Sequence, residues 1–148
     1  MTQIKNLILD MDGVLWRGET PLPGLVELFA TLHDRQINYA LATNNATKTA
    51  TMYTQKLDNF GITVAPEKII TSAEATAGYL AERHPPGTAV YIVGDKGLHQ
   101  AMADRGFQAL SMEEAYAGAT ASLVVAGFCR SLTYELLGGA ALLINKDA

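Results

Sequence analysis

Residues 4–16 read IKNLILDMDGVLW, and the fold turns on where the apolar run in this stretch stops. The six residues IKNLIL have the length and apolar character of a strand in a parallel sheet buried on both faces, and they give way abruptly to Asp10. Polar chemistry begins where the strand ends. Asp10 and Asp12 then share a tight loop, in which Gly13 lets the backbone turn sharply. In open α/β sheets the ligand site lies at the carboxyl ends of the strands, so the position and the chemistry of these two acids agree.

Working outward, Pro21, Pro23 and Gly24 punctuate a loop, after which Leu25, Leu28, Phe29 and Leu32 recur at helical spacing with Glu27, Thr31 and Asp34 opposite them. A second strand runs from Asn38 to Ala42 and ends at Thr43. The next helix carries Ala46, Ala50, Tyr53, Leu57 and Phe60 on one stripe before Gly61 closes it. Ile69 and Ile70 form a third short strand, and Thr71 with Glu74 has the spacing of a capping box for a helix reaching about Arg83. Pro85-Pro86-Gly87 is the best boundary, dividing the chain into 1–84 and 85–148. Beyond it come a strand at 90–93, a helix at 98–105, a weaker strand near Phe107, a clear strand at 123–126 and a helix from Thr133 to Lys146. Gly138 and Gly139 each cost that last helix about 1 kcal/mol relative to Ala. Alternation at this period means βαβ units, hence an α/β fold around a parallel sheet.

Composition sets outer limits. The chain has 148 residues, 49% hydrophobic and 18% charged, with 11 basic residues against 15 acidic ones for a net charge of −4. Neither sign forms a block that would bind nucleic acid or a membrane surface, and no apolar run approaches the ~20 residues of a membrane span. The N-terminal residues lack the features of a signal peptide, so the cytoplasm is the expected location. Cys129 is the single cysteine, which excludes an intrachain disulfide and a cysteine-rich zinc site.

Two carboxylates as close as Asp10 and Asp12 repel each other unless a cation sits between them. A hard, oxygen-rich corner with room for water and phosphate is a magnesium site. An Asp-x-Asp-Gly segment alone is often just an Asp-rich turn. What lifts this one above that reading is the strand before it and the strand-ending Thr43-Asn44 at the next crossover. Asn44-Asn45 taken alone could simply cap the following helix. Asp95, at another strand end, reads as a helix cap. His33, His84 and His99 have no ligand spacing, and no base is identifiable that would make Cys129 a nucleophile.

The motif Asp10-Met-Asp-Gly13-Val-Leu15 after an apolar strand, the Pro-x-Pro-Gly turn at 21–24 and the segment Ala42-Thr-Asn-Asn-Ala46 together resemble the haloacid dehalogenase superfamily. The likeness is closest to its para-nitrophenyl phosphatase-like and NagD-like branch. It implies a Rossmann-like core with an incomplete parallel sheet at 1–84, and part of an inserted α/β cap at 85–148. It also implies a phosphatase for small-molecule phosphate esters: Asp10 as the nucleophile that forms an aspartyl-phosphate, Asp12 as general acid and base, and Thr43, Asn44 and Gly13 at the phosphoryl oxygens. Magnesium would be held at Asp10 and Asp12. A homodimer through the cap is the assembly the family implies. Cys129 stands where related sequences commonly carry an acidic residue. The family's Lys and its further Asp motifs normally follow the cap, and Lys146 lies on the wrong element to serve, so the reading expects an N-terminal part of a longer enzyme, inactive alone. Two alternatives compete: a non-catalytic phosphate-binding remnant, and a receiver-like signalling module.

Overall fold

The computed structural model describes residues 4–145 and divides the chain into two compact units. The first comprises residues up to Asn44 together with Ala50–Thr71, and the second comprises Asn45–Thr49 together with the residues from Ser72 onward.

In the first unit β1 (Asn6–Asp10) leads through a small antiparallel hairpin, β2 (Trp16–Arg17) and β3 (Thr20–Pro21), into α1 (Leu25–Asp34) and then β4 (Asn38–Thr43). α2 (Ala50–Asn59) follows, then one 3-10 turn at Pro66–Lys68 and β5 (Ile69–Thr71). The three long strands are parallel in the order β1-β4-β5. A sheet built in one direction by right-handed crossovers must carry its helices on a single face. Accordingly one core forms: Leu25 and Phe29 from α1, Tyr53 and Leu57 from α2, and Leu41 and Ile69 from the strands, with Leu9 packed against them. The expectation of burial on both faces fails here, because Ile8 and Ile70, which alternate away from that core, are 76% and 47% exposed.

Gly61 closes α2 as its sequence promised, at φ 79°, with the Ile62 and Gly61 amides donating to the carbonyls of Leu57 and Asp58. The stripe begins at Ala50, however. Ala46 is buried in the core of the second unit instead, because residues 45–49 form an irregular, bent segment between β4 and α2, in which the Thr47 amide and hydroxyl donate to Asn45 Oδ1.

The second unit contains α3 (Ser72–Ala81), β6 (Ala89–Val93), α4 (Lys96–Asp104), β7 (Gln108–Leu110), α5 (Met112–Tyr116), β8 (Leu123–Ala126) and α6 (Tyr134–Ile144). It opens at Ser72 rather than at the Pro85 turn expected as the boundary, because Ala73 and Ala77 of α3 pack with Val90, Ile92, Leu98 and Met102. The proline turn therefore lies inside the unit. Here the parallel order is β7-β6-β8, so the direction of building reverses at β6. Reversal sends successive crossovers to opposite faces, and two cores result. Val90 and Ile92 face α3 and α4, while Tyr91 and Val93 face Ala115 of α5 and Ala140 and Leu143 of α6.

α5, absent from the sequence reading, starts with a complete capping box between Ser111 and Glu114. α6 is capped by the Thr133 hydroxyl, and its expected last residue, Lys146, lies outside the described residues. Its two glycines have a packing reason. A Cβ at Gly138 would meet the Tyr116 hydroxyl and one at Gly139 the Tyr91 hydroxyl, and these hydroxyls donate to the carbonyls of Glu135 and Leu136. Burial also raises the Tyr91 phenol above its usual value, with the neighbouring Tyr116 and Glu113 adding to the effect.

Candidate active site

All five residues singled out from the sequence belong to the first unit. Asp10 is the last residue of β1, in register with Ala42 of the adjacent parallel strand, so Thr43 stands one residue further along the neighbouring strand end. Parallel pairing thus brings the Asp10 and Thr43 positions to the same edge of the sheet. Thr43 is buried, 7% exposed, while Asn44 after it is exposed.

The loop after β1 alternates in a way that explains how two acids face solvent. Met11 is fully buried in the first core and acts as the anchor between exposed Asp10 and exposed Asp12. The chain then makes one tight turn, in which the Val14 and Leu15 amides donate to the Met11 carbonyl at 3.2 and 2.9 Å. Gly13 sits at φ 87°, a conformation that costs any residue with a Cβ. Its amide donates to the Trp16 carbonyl at 2.7 Å. Gly13 therefore serves the loop through its backbone angle, and its N–H is already engaged rather than presented to a phosphate.

Asp12 is held by a residue to which the sequence reading gave no role. The Trp16 indole N–H donates to Asp12 Oδ1 at 2.8 Å. The ring is fully buried, stacked on Tyr53 at 6.1 Å between centroids and 19° between planes. Lys56 lies over its face, with Nζ 4.8 Å from the ring centroid. That ammonium is itself 7% exposed at the residue level, donates to the Gly18 carbonyl and pairs with Glu19 at 3.1 Å. A buried cation is costly unless it is paired, and Lys56 has two oxygens and an aromatic face. The signal was legible: Lys56 falls three residues after Tyr53, on the buried stripe of α2, where a charge needs an explanation.

Among the described residues, no three His, Cys, Asp or Glu side chains come together as a metal cluster. Two exposed carboxylates on one loop remain as the donor set. Such a set suits a hard divalent cation that keeps most of its coordination for water and phosphate.

Two other expectations find different places. Asp95 occupies the N-cap position of α4, yet its side chain makes no capping bond; Oδ1 accepts the Arg130 amide at 3.0 Å and ties the end of β6 to the loop after β8. Cys129, in that loop, is half-buried with Sγ 3.7 Å from the Ser131 hydroxyl, which is no base.

The profile of the haloacid dehalogenase-like hydrolases matches residues 7–108. An acid sugar phosphatase of Staphylococcus epidermidis is 33% identical over all 148 residues, which cover 54% of its length. The crystal structure of a hypothetical protein from Pyrococcus horikoshii superposes with a TM-score of 0.88 at 40% identity, over 97% of this chain and 55% of that one. A glycerol phosphate phosphatase of Mycobacterium tuberculosis, crystallised in complex with magnesium, gives a TM-score of 0.82 at 29% identity, over 97% of this chain and 42% of that one. The chain thus spans about half the length of the relatives it matches. No helix among the described residues is long and apolar enough to cross a membrane. With the family profile covering more than half of its residues and the parallel sheet ending in the acidic loop, this chain belongs to the haloacid dehalogenase-like hydrolase family.

Proposed function

We propose that the protein acts in the hydrolysis of small-molecule phosphate monoesters, with Asp10 as the nucleophile and Asp12 as the general acid and base. The observation that carries this reading is the loop itself: Asp10 ends β1 exposed, and a second carboxylate two residues on is fixed by a buried donor. The acid sugar phosphatase and glycerol phosphate phosphatase among the relatives support the substrate class. On this reading the first unit carries part of the catalytic core and the second unit part of an inserted cap.

The chemistry follows from the two acids. An Asp10 carboxylate oxygen attacks phosphorus, the ester P–O bond breaks, and the phosphoryl group is left on Asp10 as an acyl phosphate. An alkoxide is a poor leaving group without a proton, which Asp12 supplies; Asp12, now ionised, then takes a proton from the water that releases phosphate and regenerates Asp10. Thr43 at the neighbouring strand end supplies a hydroxyl for a phosphoryl oxygen, and Asn44 a second polar group. Magnesium held at Asp10 and Asp12 would neutralise charge between carboxylate and phosphate, which otherwise repel.

The test is an assay of p-nitrophenyl phosphate and glycerol phosphate with the full product of the reading frame. Turnover with magnesium that is silenced by EDTA and restored by added magnesium is the expected outcome. Full turnover in chelator, with trace metal excluded, would sink the metal part of the reading. Phosphate binding without turnover of either ester would replace the enzyme with a phosphate-binding protein.

A further inference from the structure

Resting on Asp12 as the proton donor, we propose that Trp16 is a positioning residue for Asp12, holding its carboxyl group in one orientation. The indole N–H is a donor only and can never accept. The oxygen it meets, Oδ1 at 2.8 Å, is therefore the acceptor, and the bond fixes the orientation of the Asp12 carboxyl group on the loop. A carboxyl group on an exposed loop would otherwise rotate and present either oxygen, and only a fraction of its orientations would serve the leaving group.

The rest of the surroundings make Trp16 a rigid donor. Tyr53 stacks on one side of the ring, Phe60 tilts against it at 6.1 Å, and Lys56 covers a face. The backbone is held too, since the Trp16 carbonyl accepts the Gly13 amide and Trp16 pairs with Pro21 across the small hairpin. Lys56 extends the support by gripping Gly18 and Glu19 between those two strands. The hairpin, the helix α2 and the acidic loop are thus joined at one indole. A buried tryptophan needs an acceptor for its N–H in any case, so a purely structural bond is the competing account. The two differ in what losing the N–H does to chemistry.

The test uses Trp16→Phe, which removes the donor and keeps an aromatic ring, in the full chain beside Asp10→Asn and Asp12→Ala. For glycerol phosphate, whose leaving group needs a proton, kcat should fall about tenfold more than for p-nitrophenyl phosphate, with KM little changed. In the Asp12→Ala background, Trp16→Phe should add no further discrimination between the two esters. Equal losses on both esters, or the same discrimination persisting without Asp12, would make Trp16 structural only. A second readout is independent of turnover and of how well the Phe variant folds. Trp16 is the single tryptophan of these 148 residues, and its indole N–H cross-peak in a proton–nitrogen spectrum is identified by its proximity to the Tyr53 ring. That peak should move on Asp12→Ala and hold its place on Asp10→Asn; a peak indifferent to Asp12→Ala would overturn the proposal. Failure of the underlying reading looks different, since Asp10→Asn would then retain turnover or Asp12→Ala would itself show no leaving-group dependence.

Discussion

The two three-stranded parallel sheets differ in one respect from which much else follows. The sheet β1-β4-β5 is built in one direction and keeps its helices on a single face, whereas the sheet β7-β6-β8 reverses at β6 and is covered on both. Each sheet carries an aspartate where its leading strand ends, Asp10 after β1 and Asp95 after β6. Topology alone would favour Asp95, since ligands in such sheets gather where strand order reverses. Side-chain chemistry points the other way. The Asp95 carboxylate is engaged with the Arg130 amide of its own unit. The Asp10 side chain is exposed beside a second acid, and no hydrogen bond ties its carboxylate to another described residue. Both aspartates share the strand-end position, and an uncommitted carboxylate with an oriented partner is what favours Asp10 as the proposed site.

The comparison breaks most visibly at the two aspartates. Asp10→Asn should lower hydrolysis of p-nitrophenyl phosphate by at least about a thousandfold, as loss of a covalent nucleophile does. Asp95→Asn should leave most of that turnover and lower the melting temperature, since it weakens one hydrogen bond worth about 1–2 kcal/mol. Reversed results would move the site to the second unit. Next in size, Asp12→Ala should slow glycerol phosphate by about a hundredfold or more and p-nitrophenyl phosphate by much less, because general acid catalysis matters most for poor leaving groups.

The sheets can be separated by stability as well as by activity. Ile92 is 3% exposed in the doubly covered sheet, so Ile92→Ala should cost about 2–5 kcal/mol in denaturant titrations of the second unit. Gly13→Ala should cost about 1–2 kcal/mol through its φ of 87°, with no clash since nothing lies near its missing Cβ. Ile8→Ala, on the uncovered face of the first sheet, should change the stability of the 148-residue chain by less than about 0.5 kcal/mol. A large cost at Ile8 would mean that this face is covered in solution, by a second copy or another segment.

Much of this was legible before any coordinates. The apolar runs ending in Asp10, Thr43 and Thr71 announced β1, β4 and β5, because a strand with apolar residues in succession and a polar stop has few alternatives. Gly61 marked its helix end through a requirement for positive φ. The division at Ser72 was not legible: a proline turn signals a change of direction, but which core a helix joins depends on partners far along the chain, here Val90 and Leu98 for Ala73 and Ala77. Ala46 misled for the same reason, since helical spacing cannot say which of two cores receives a small side chain. Gly138 and Gly139 read as weaknesses in α6 until the hydroxyls of Tyr116 and Tyr91 accounted for the space. In the site, the pair Asp10 and Asp12 at the end of a strand could be read from residue type and position, while the roles proposed for them came from the family resemblance. The part played by Trp16 could not, because a hydrogen bond from a buried ring depends on Tyr53 and Lys56 arriving from α2.

The central claim is that Asp10 becomes covalently phosphorylated, and a trapping measurement addresses it most directly. The full chain, turning over p-nitrophenyl phosphate in magnesium, is quenched in acid, which preserves acyl phosphates, and its peptides are weighed. The account predicts the mass of one phosphoryl group on the peptide containing Asp10, lost on treatment with hydroxylamine and absent in Asp10→Asn. A phosphoryl group on any other residue, or an Asp10→Asn variant that turns over at the rate of the unsubstituted protein, would contradict it.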